Sequence, residues 1–189
     1  MKKNIIFLIL TSWALQGCIF AVGAAAGAAG IAAVYDHRKI DTVLTDQRIA
    51  NRILDKIFLN TNLRDNSHIN VTSYNRVVLL TGEANSPAYK AQAEQTAKSI
   101  DGITKVYNEI TITGSASPLS RASDSWISTK IKTQMLATKD LKSGSIKVVT
   151  ENGSVYLMGI VTHDQADTAV EIAQNVSGVQ KVVKIFQYR

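Results

Sequence analysis

Apolar residues recur along this chain in two rhythms, and the order of the rhythms repeats. Ile49, Ile53 and Ile57 fall at i, i+4 and i+8 and mark one helical stripe, with Asp46 placed as its N-cap. Ile69-Asn70-Val71-Thr72 then alternates as a strand. Tyr74-Asn75-Arg76 supplies a turn, and Val77 to Gly82 is a second, more apolar strand, so the pair reads as a hairpin. Ser86 and Pro87 open a second helix, with the proline at a tolerated first-turn position. Ala91, Ala97 and Ile100 are apolar along it. Asp101-Gly102 closes it, and Val106 to Ile112 alternates as the last strand.

After Gly114 to Ser120, a stretch with Ser115, Ser117 and Pro118 that reads as a linker, the pattern returns. Asp124 caps a helix carrying Ile127, Ile131 and Met135. Ile146 to Thr150, a Glu151-Asn152-Gly153 turn and Val155 to Gly159 form a hairpin. Thr162 to Asn175 is a helix ended by Ser177-Gly178, and Val179 to Phe186 is the closing strand. Asn75 and Asn152, and Gly82 and Gly159, are each 77 apart, whereas Gly102 and Gly178, and Val106 and Val182, are each 76 apart. One residue is therefore lost in the second helix, opposite the region of Pro87. The chain is a tandem duplication of an α-β-β-α-β unit. Its fold class is α+β, each unit packing two helices on one face of a three-stranded mixed sheet. The glycines have local explanations: Gly82 and Gly159 end a strand where the chain turns toward a helix, and Gly102 and Gly178 terminate helices.

The start of the chain has a different pattern. Lys2 and Lys3 precede an apolar run from Ile5 to Leu15, the layout of a secretory signal and too short to span a bilayer by itself, which takes about 20 residues. Leu15-Gln16-Gly17-Cys18 follows. It resembles the lipobox of bacterial lipoproteins, in which the cysteine is acylated and the chain is cut just before it, although Gln16 is a less usual residue there. Cys18 is the single cysteine, so no internal disulfide explains it. The resemblance implies a permanent lipid anchor on Cys18, and Ile19 in place of an aspartate favours the outer membrane. From Ala21 to Val34 the chain is almost all alanine and glycine. It reads as a compact tether, or as a segment whose Gly23, Gly27 and Gly30 let helices approach in lipid; a run from Ile5 onward that is never cut and spans the membrane is a further alternative, against which Cys18 argues.

With both units in view, the chain resembles the BON-domain family. The second unit carries the likeness in Val148-Val149-Thr150-Glu151-Asn152-Gly153-Ser154-Val155-Tyr156-Leu157-Met158-Gly159 and Val176-Ser177-Gly178-Val179. The first carries it in Ile69-Asn70-Val71-Thr72, Val78-Leu79-Leu80-Thr81-Gly82 and Asp101-Gly102. The expected organisation is a lipoprotein signal peptide over 1–17, an acylated cysteine with an Ala/Gly-rich tether over 18–35, a first BON domain over 36–113, a linker over 114–120 and a second BON domain over 121–189. Resemblance to lipid-anchored BON-domain proteins implies a phospholipid-binding module of the outer membrane. It further implies a part in envelope integrity and stress resistance, and a place at the division site.

Candidate site residues come from a helical wheel. With Ile127, Ile131 and Met135 facing the core, at about 100° per residue Trp126 and Leu136 each fall about 140° away from it. Lys130 and Thr133 flank Trp126, and Lys132 borders Leu136. An outward indole beside lysines suits a membrane interface, where the ring sits among headgroups and the ammonium meets phosphate. The first unit has Arg48 at the place of Trp126, so the two copies are not expected to do the same job. A competing reading buries Trp126 against the first unit or the linker. Trp126, Lys130, Thr133, Leu136 and Lys132 thus form the expected phospholipid-binding face, for anionic lipids such as phosphatidylglycerol and cardiolipin.

Charge changes this picture little. The chain carries +6, and +4 once Lys2 and Lys3 leave with the signal. From Leu119 onward nine Lys/Arg face six Asp/Glu, against ten and nine from Tyr35 to Gly114, so the excess lies in the second unit. That suits weak attraction to anionic headgroups better than nucleic-acid binding. His37, His68 and His163 share no ligand spacing, no nucleophile–base pair stands out, and no glycine-rich phosphate loop occurs. No enzyme, metal or cofactor is expected. The rival function, from another class, is a periplasmic adaptor whose same face docks an envelope assembly machine or a cell-wall enzyme, since aromatic and basic residues also favour protein hot spots.

Overall fold

The structure of the protein is a computed structural model that describes residues 38–113 and 118–189. The signal peptide, Cys18 and the Ala/Gly tether lie outside the described residues. In the first domain α1 (Ile40–Leu59) and the short α2 (Thr61–Asp65) precede β1 (Ser67–Tyr74), β2 (Val77–Ala84), α3 (Pro87–Lys98), β3 (Lys105–Asn108) and β4 (Thr111–Ile112). The second runs α4 (Pro118–Ala137), a 3-10 turn at Ser143–Ser145, β5 (Ile146–Glu151), β6 (Ser154–Val161), α5 (His163–Gln174) and β7 (Lys181–Tyr188).

The apolar stripes do what their spacing requires. Ile49, Ile53 and Ile57 on α1, and Ile127, Ile131 and Met135 on α4, are buried against their own sheets. The helix starts differ from expectation. Both long helices begin six residues ahead of the aspartates read as N-caps, so Asp46 and Asp124 lie inside α1 and α4 and are buried. Their carboxylates instead hold the hairpin turns. Asp46 accepts from the backbone N–H groups of Asn75 (2.7 Å) and Arg76 (2.8 Å), from Ser73 Oγ (2.8 Å) and from Arg38. Asp124 accepts from the N–H groups of Asn152 (2.8 Å) and Gly153 (2.9 Å). Each turn pair has positive φ (48° and 64°; 47° and 73°), as a two-residue turn matching the strand twist requires. That geometry points two N–H groups at the helix, and the buried carboxylate satisfies both.

α1 and α4 each have 20 residues, and α3 and α5 each have 12, so the residue read as lost from the second helix is not missing there. It is missing from the preceding connection, where Asn85 and Ser86 are matched by Thr162 alone. Ser86 caps α3 by accepting from the Tyr89 N–H, and Thr162 forms a capping box with Gln165. Thr162 is therefore the cap of α5. Ala93 and Ala97 are the buried alanines of α3, whereas Ala91 faces solvent.

In each sheet the middle strand pairs antiparallel with its hairpin partner and parallel with the last strand. β7 is continuous, but its counterpart is broken into β3 and β4, with Ile110 turned into the core between them. Gly82 and Gly159 lie within β2 and β6, not at strand ends. A Cβ would stand 2.0 Å from the His68 carbonyl oxygen at Gly82 and 2.6 Å from that of Ser145 at Gly159.

The two domains join sheet to sheet. Val78 and Leu80, and Val155 and Leu157, face their own helices. Tyr74, Val77 and Leu79 face the other way and pack with Tyr156, Met158 and Ile185 of the second domain. Asn75 Nδ2 donates to Gln187 Oε1 (2.7 Å), Asn152 Nδ2 donates to Glu83 Oε1 (2.9 Å), and Tyr74 Oη donates to the Ser145 carbonyl (2.8 Å). The layers run helices, sheet, sheet, helices, so the outer faces of α1 and α4 look in opposite directions.

Candidate functional site

The fold fixes α4 as an outer helix with one buried stripe, which leaves the rest of its circumference available. Trp126 keeps 54% of its surface exposed and Leu136 59%, and Lys130, Lys132 and Thr133 are exposed as well. The first domain does not bury the indole. Trp126, Lys130 and Thr133 stand at i, i+4 and i+7, on successive turns of one flank. Leu136 follows beside them. Lys132 lies on the other flank, so the five residues form a band around the outer side of the helix rather than a compact cluster.

Lys132 faces a polar groove that sequence reasoning missed. Arg121, Ser125, Ser128 and Thr129 line its α4 wall, and Thr150, Glu151 and Asn70 of the first domain line the other. Asn70 Nδ2 donates to Glu151 Oε2 (2.9 Å), so the groove crosses the domain boundary. A signal for its α4 wall existed in the i, i+4, i+7, i+8, i+11 spacing of Arg121, Ser125, Ser128, Thr129 and Lys132. The far wall depends on sheet packing that spacing does not reveal. The Lys132 side chain retains exposed surface, but crowding around its ammonium, and secondarily the charge of Lys147, push its pKa below the usual lysine value. A phosphate placed there would oppose both effects.

The hydroxyls of this helix are largely engaged. Thr133 Oγ1 donates to the Thr129 carbonyl (2.9 Å), Thr129 Oγ1 to the Ser125 carbonyl (2.9 Å) and Ser125 Oγ to the Arg121 carbonyl (3.0 Å). Thr133 thus offers a methyl group and lone pairs outward, not a free donor. The lysines are the cationic groups of the band. Among the described histidines, His163 stacks on Tyr188 with ring centroids 4.0 Å apart, a packing role, and His68 lies in β1. Among the described residues no three His, Cys, Asp or Glu side chains gather as a metal ion would need. Nor is any described helix long and apolar enough to cross a membrane.

In the first domain the same five helix positions hold Arg48, Arg52, Leu54, Asp55 and Phe58. The indole has become an arginine, a lysine has become a leucine, and an acid has entered.

Comparison with known proteins agrees with the duplication. The BON domain family matches residues 45–114 and 123–189. The chain is 36% identical over 189 residues to the outer membrane lipoprotein DolP of Haemophilus influenzae, covering 100% of this chain and 96% of that protein. It is 39% identical over 154 residues to the 21 kDa hemolysin of Actinobacillus pleuropneumoniae, covering 81% of this chain and 79% of that one. It is 28% identical over 188 residues to the osmotically-inducible protein Y of Escherichia coli, covering 96% and 93%. The chain belongs to the BON-domain family and carries two copies of the domain in tandem.

Proposed function

We propose that the protein is an outer-membrane lipoprotein, anchored through acylated Cys18 and facing the periplasm, whose second BON domain binds anionic phospholipid through α4. The observation that carries this reading is the exposed Trp126, flanked by Lys130 on a helix whose core stripe, Ile127, Ile131 and Met135, is buried. An indole on a fold surface costs hydration unless a partner covers it, and the headgroup region accepts its apolar ring and its N–H together. Leu136 adds an apolar contact, and Lys130 and Lys132 each contribute about 1 kcal/mol near an anionic surface. The anchor makes the contact intramolecular, so modest intrinsic affinity gives high occupancy. Similarity to an outer membrane lipoprotein over the whole chain, residues 1–37 included, supports the anchor reading. A role in envelope integrity and stress resistance, with enrichment where anionic lipid accumulates such as the division site, follows from such binding.

The test is vesicle flotation of the unacylated chain, residues 18–189 with Cys18→Ser, on vesicles with and without phosphatidylglycerol or cardiolipin. Flotation that needs anionic lipid and is lost in Trp126→Glu supports the reading. No flotation of the parent chain contradicts it and leaves the adaptor role for the same face, to be followed by crosslinking in the envelope.

A further inference from the structure

The outer face of α1 carries a second pattern, distinct from its core stripe. Ile40, Leu44, Gln47, Asn51, Leu54 and Phe58 follow one another at steps of four, three, four, three and four, the spacing of an a/d seam in a coiled coil. All six are exposed, Ile40 at 77% and Phe58 at 64%. The fold does not require them. The same positions of α4 hold Pro118, Ala122, Ser125, Thr129, Lys132 and Leu136, mostly small or polar.

The seam reads the same from both ends. Residues equidistant from Ile49 match in character: Ile40 with Phe58, Leu44 with Leu54, Gln47 with Asn51. The central amides already face each other along the helix, Gln47 Nε2 donating to Asn51 Oδ1 at 2.9 Å. A surface complementary to itself after inversion is what an isologous two-fold contact needs.

We infer that α1 pairs antiparallel with α1 of a second copy of this chain. Each apolar layer then meets an apolar layer, and the Gln47 and Asn51 layers meet each other. The two central layers are polar, and polar layers of this kind fix register at some cost in stability. Phe58 and Leu54 border a groove of about 420 Å³ shared with Ile69, His68 and Arg64. The partner's α1 would bring its Ile40 end to that groove. Because α1 and α4 occupy opposite outer layers, this pairing leaves the Trp126 face accessible and stands independently of lipid binding. A helix pair about 30 Å long makes a small interface, so the dimer is weak in solution.

Sedimentation of the unacylated chain with Cys18→Ser reads the association, with far-UV circular dichroism as the check on folding. The expected result is a concentration-dependent dimer. Phe58→Lys weakens it by about tenfold or more without loss of helix, and Trp126→Glu leaves it unchanged. As Cys18 is the native cysteine, new thiols can be placed singly. Chains bearing Leu44→Cys and Leu54→Cys, mixed and treated with a short thiol crosslinker, should join to each other more than either joins to itself. A monomer at every concentration with no mixed crosslink overturns the inference. So does a dimer indifferent to Phe58→Lys, or crosslinking dominated by Leu44→Cys with itself.

Discussion

The two domains share a skeleton and differ on their outer faces. Inside, positions repeat in kind: Ile49 and Ile127, Ile53 and Ile131, Asp46 and Asp124, Asn75 and Asn152, Gly82 and Gly159. Outside, Trp126 faces Arg48 across the repeat, Lys132 faces Leu54, and Thr133 faces Asp55. What the fold needs occurs twice, and what occurs once lies on the outer faces, where the proposed functions of the two copies part. Sheet-to-sheet packing gives that division a direction: on the proposed reading, a membrane under α4 would leave α1 facing away from it.

The glycine pair should break the symmetry most. Gly82 combines φ of +107° with a 2.0 Å approach to a backbone oxygen, whereas Gly159 has only the 2.6 Å approach. Gly82→Ala is expected to cost about 4 kcal/mol and Gly159→Ala about half of that, measured by urea denaturation. The turn clamps come next. Asp46 satisfies four donors and Asp124 two backbone N–H groups, so Asp46→Ala should cost about 3 kcal/mol and Asp124→Ala about 2. Equal costs would mean that Arg38 and Ser73 add nothing.

On the inner faces Tyr156 stands in place of Leu79. Burial between the sheets, and then the charge of Glu109, push the Tyr156 phenol up to about 12. An unfolded tyrosine ionises near its ordinary value of 10.0. The neutral phenol is thus favoured in the folded state. Its contribution is complete below about pH 10 and is lost as pH rises toward 12, a fall of roughly 2–3 kcal/mol. Tyr156→Phe should flatten this alkaline limb, which stability measured across pH 8–12 would read. Smallest are the lysines: Lys130→Ala and Lys132→Ala should each weaken flotation by about 1 kcal/mol at low salt and less at high salt, and Arg52→Ala should change nothing.

Much of this was legible from residue types and spacing. The duplication, the two core stripes, the hairpins and the Ser86 and Thr162 starts depend on local patterns, and those patterns agree with the packed structure. The misplaced helix starts have a specific cause. Asp before an apolar stripe is an N-cap signature, but here the carboxylate serves a turn that lies 29 residues onward for Asn75 and 28 for Asn152, a contact no local rule contains. The sheet-to-sheet joint left a trace that alternation rules overlook. Val77-Val78-Leu79-Leu80 and Val155-Tyr156-Leu157-Met158 are unbroken apolar runs, as strands covered on both faces show. On the candidate face, exposure of Trp126 followed from its wheel angle. Separation of Lys132 into a groove shared with Asn70 required the joint itself.

The most direct measurement of the central claim is Trp126 emission. Of the two tryptophans, Trp13 lies in the signal region, so the chain from Cys18 onward reports on Trp126 alone. Adding vesicles that contain phosphatidylglycerol or cardiolipin should shift its emission to shorter wavelength and make it quenchable by brominated acyl chains, while neutral vesicles leave it unchanged. Emission that stays at its exposed value while the chain is bound to anionic vesicles would contradict α4 as the lipid-facing helix.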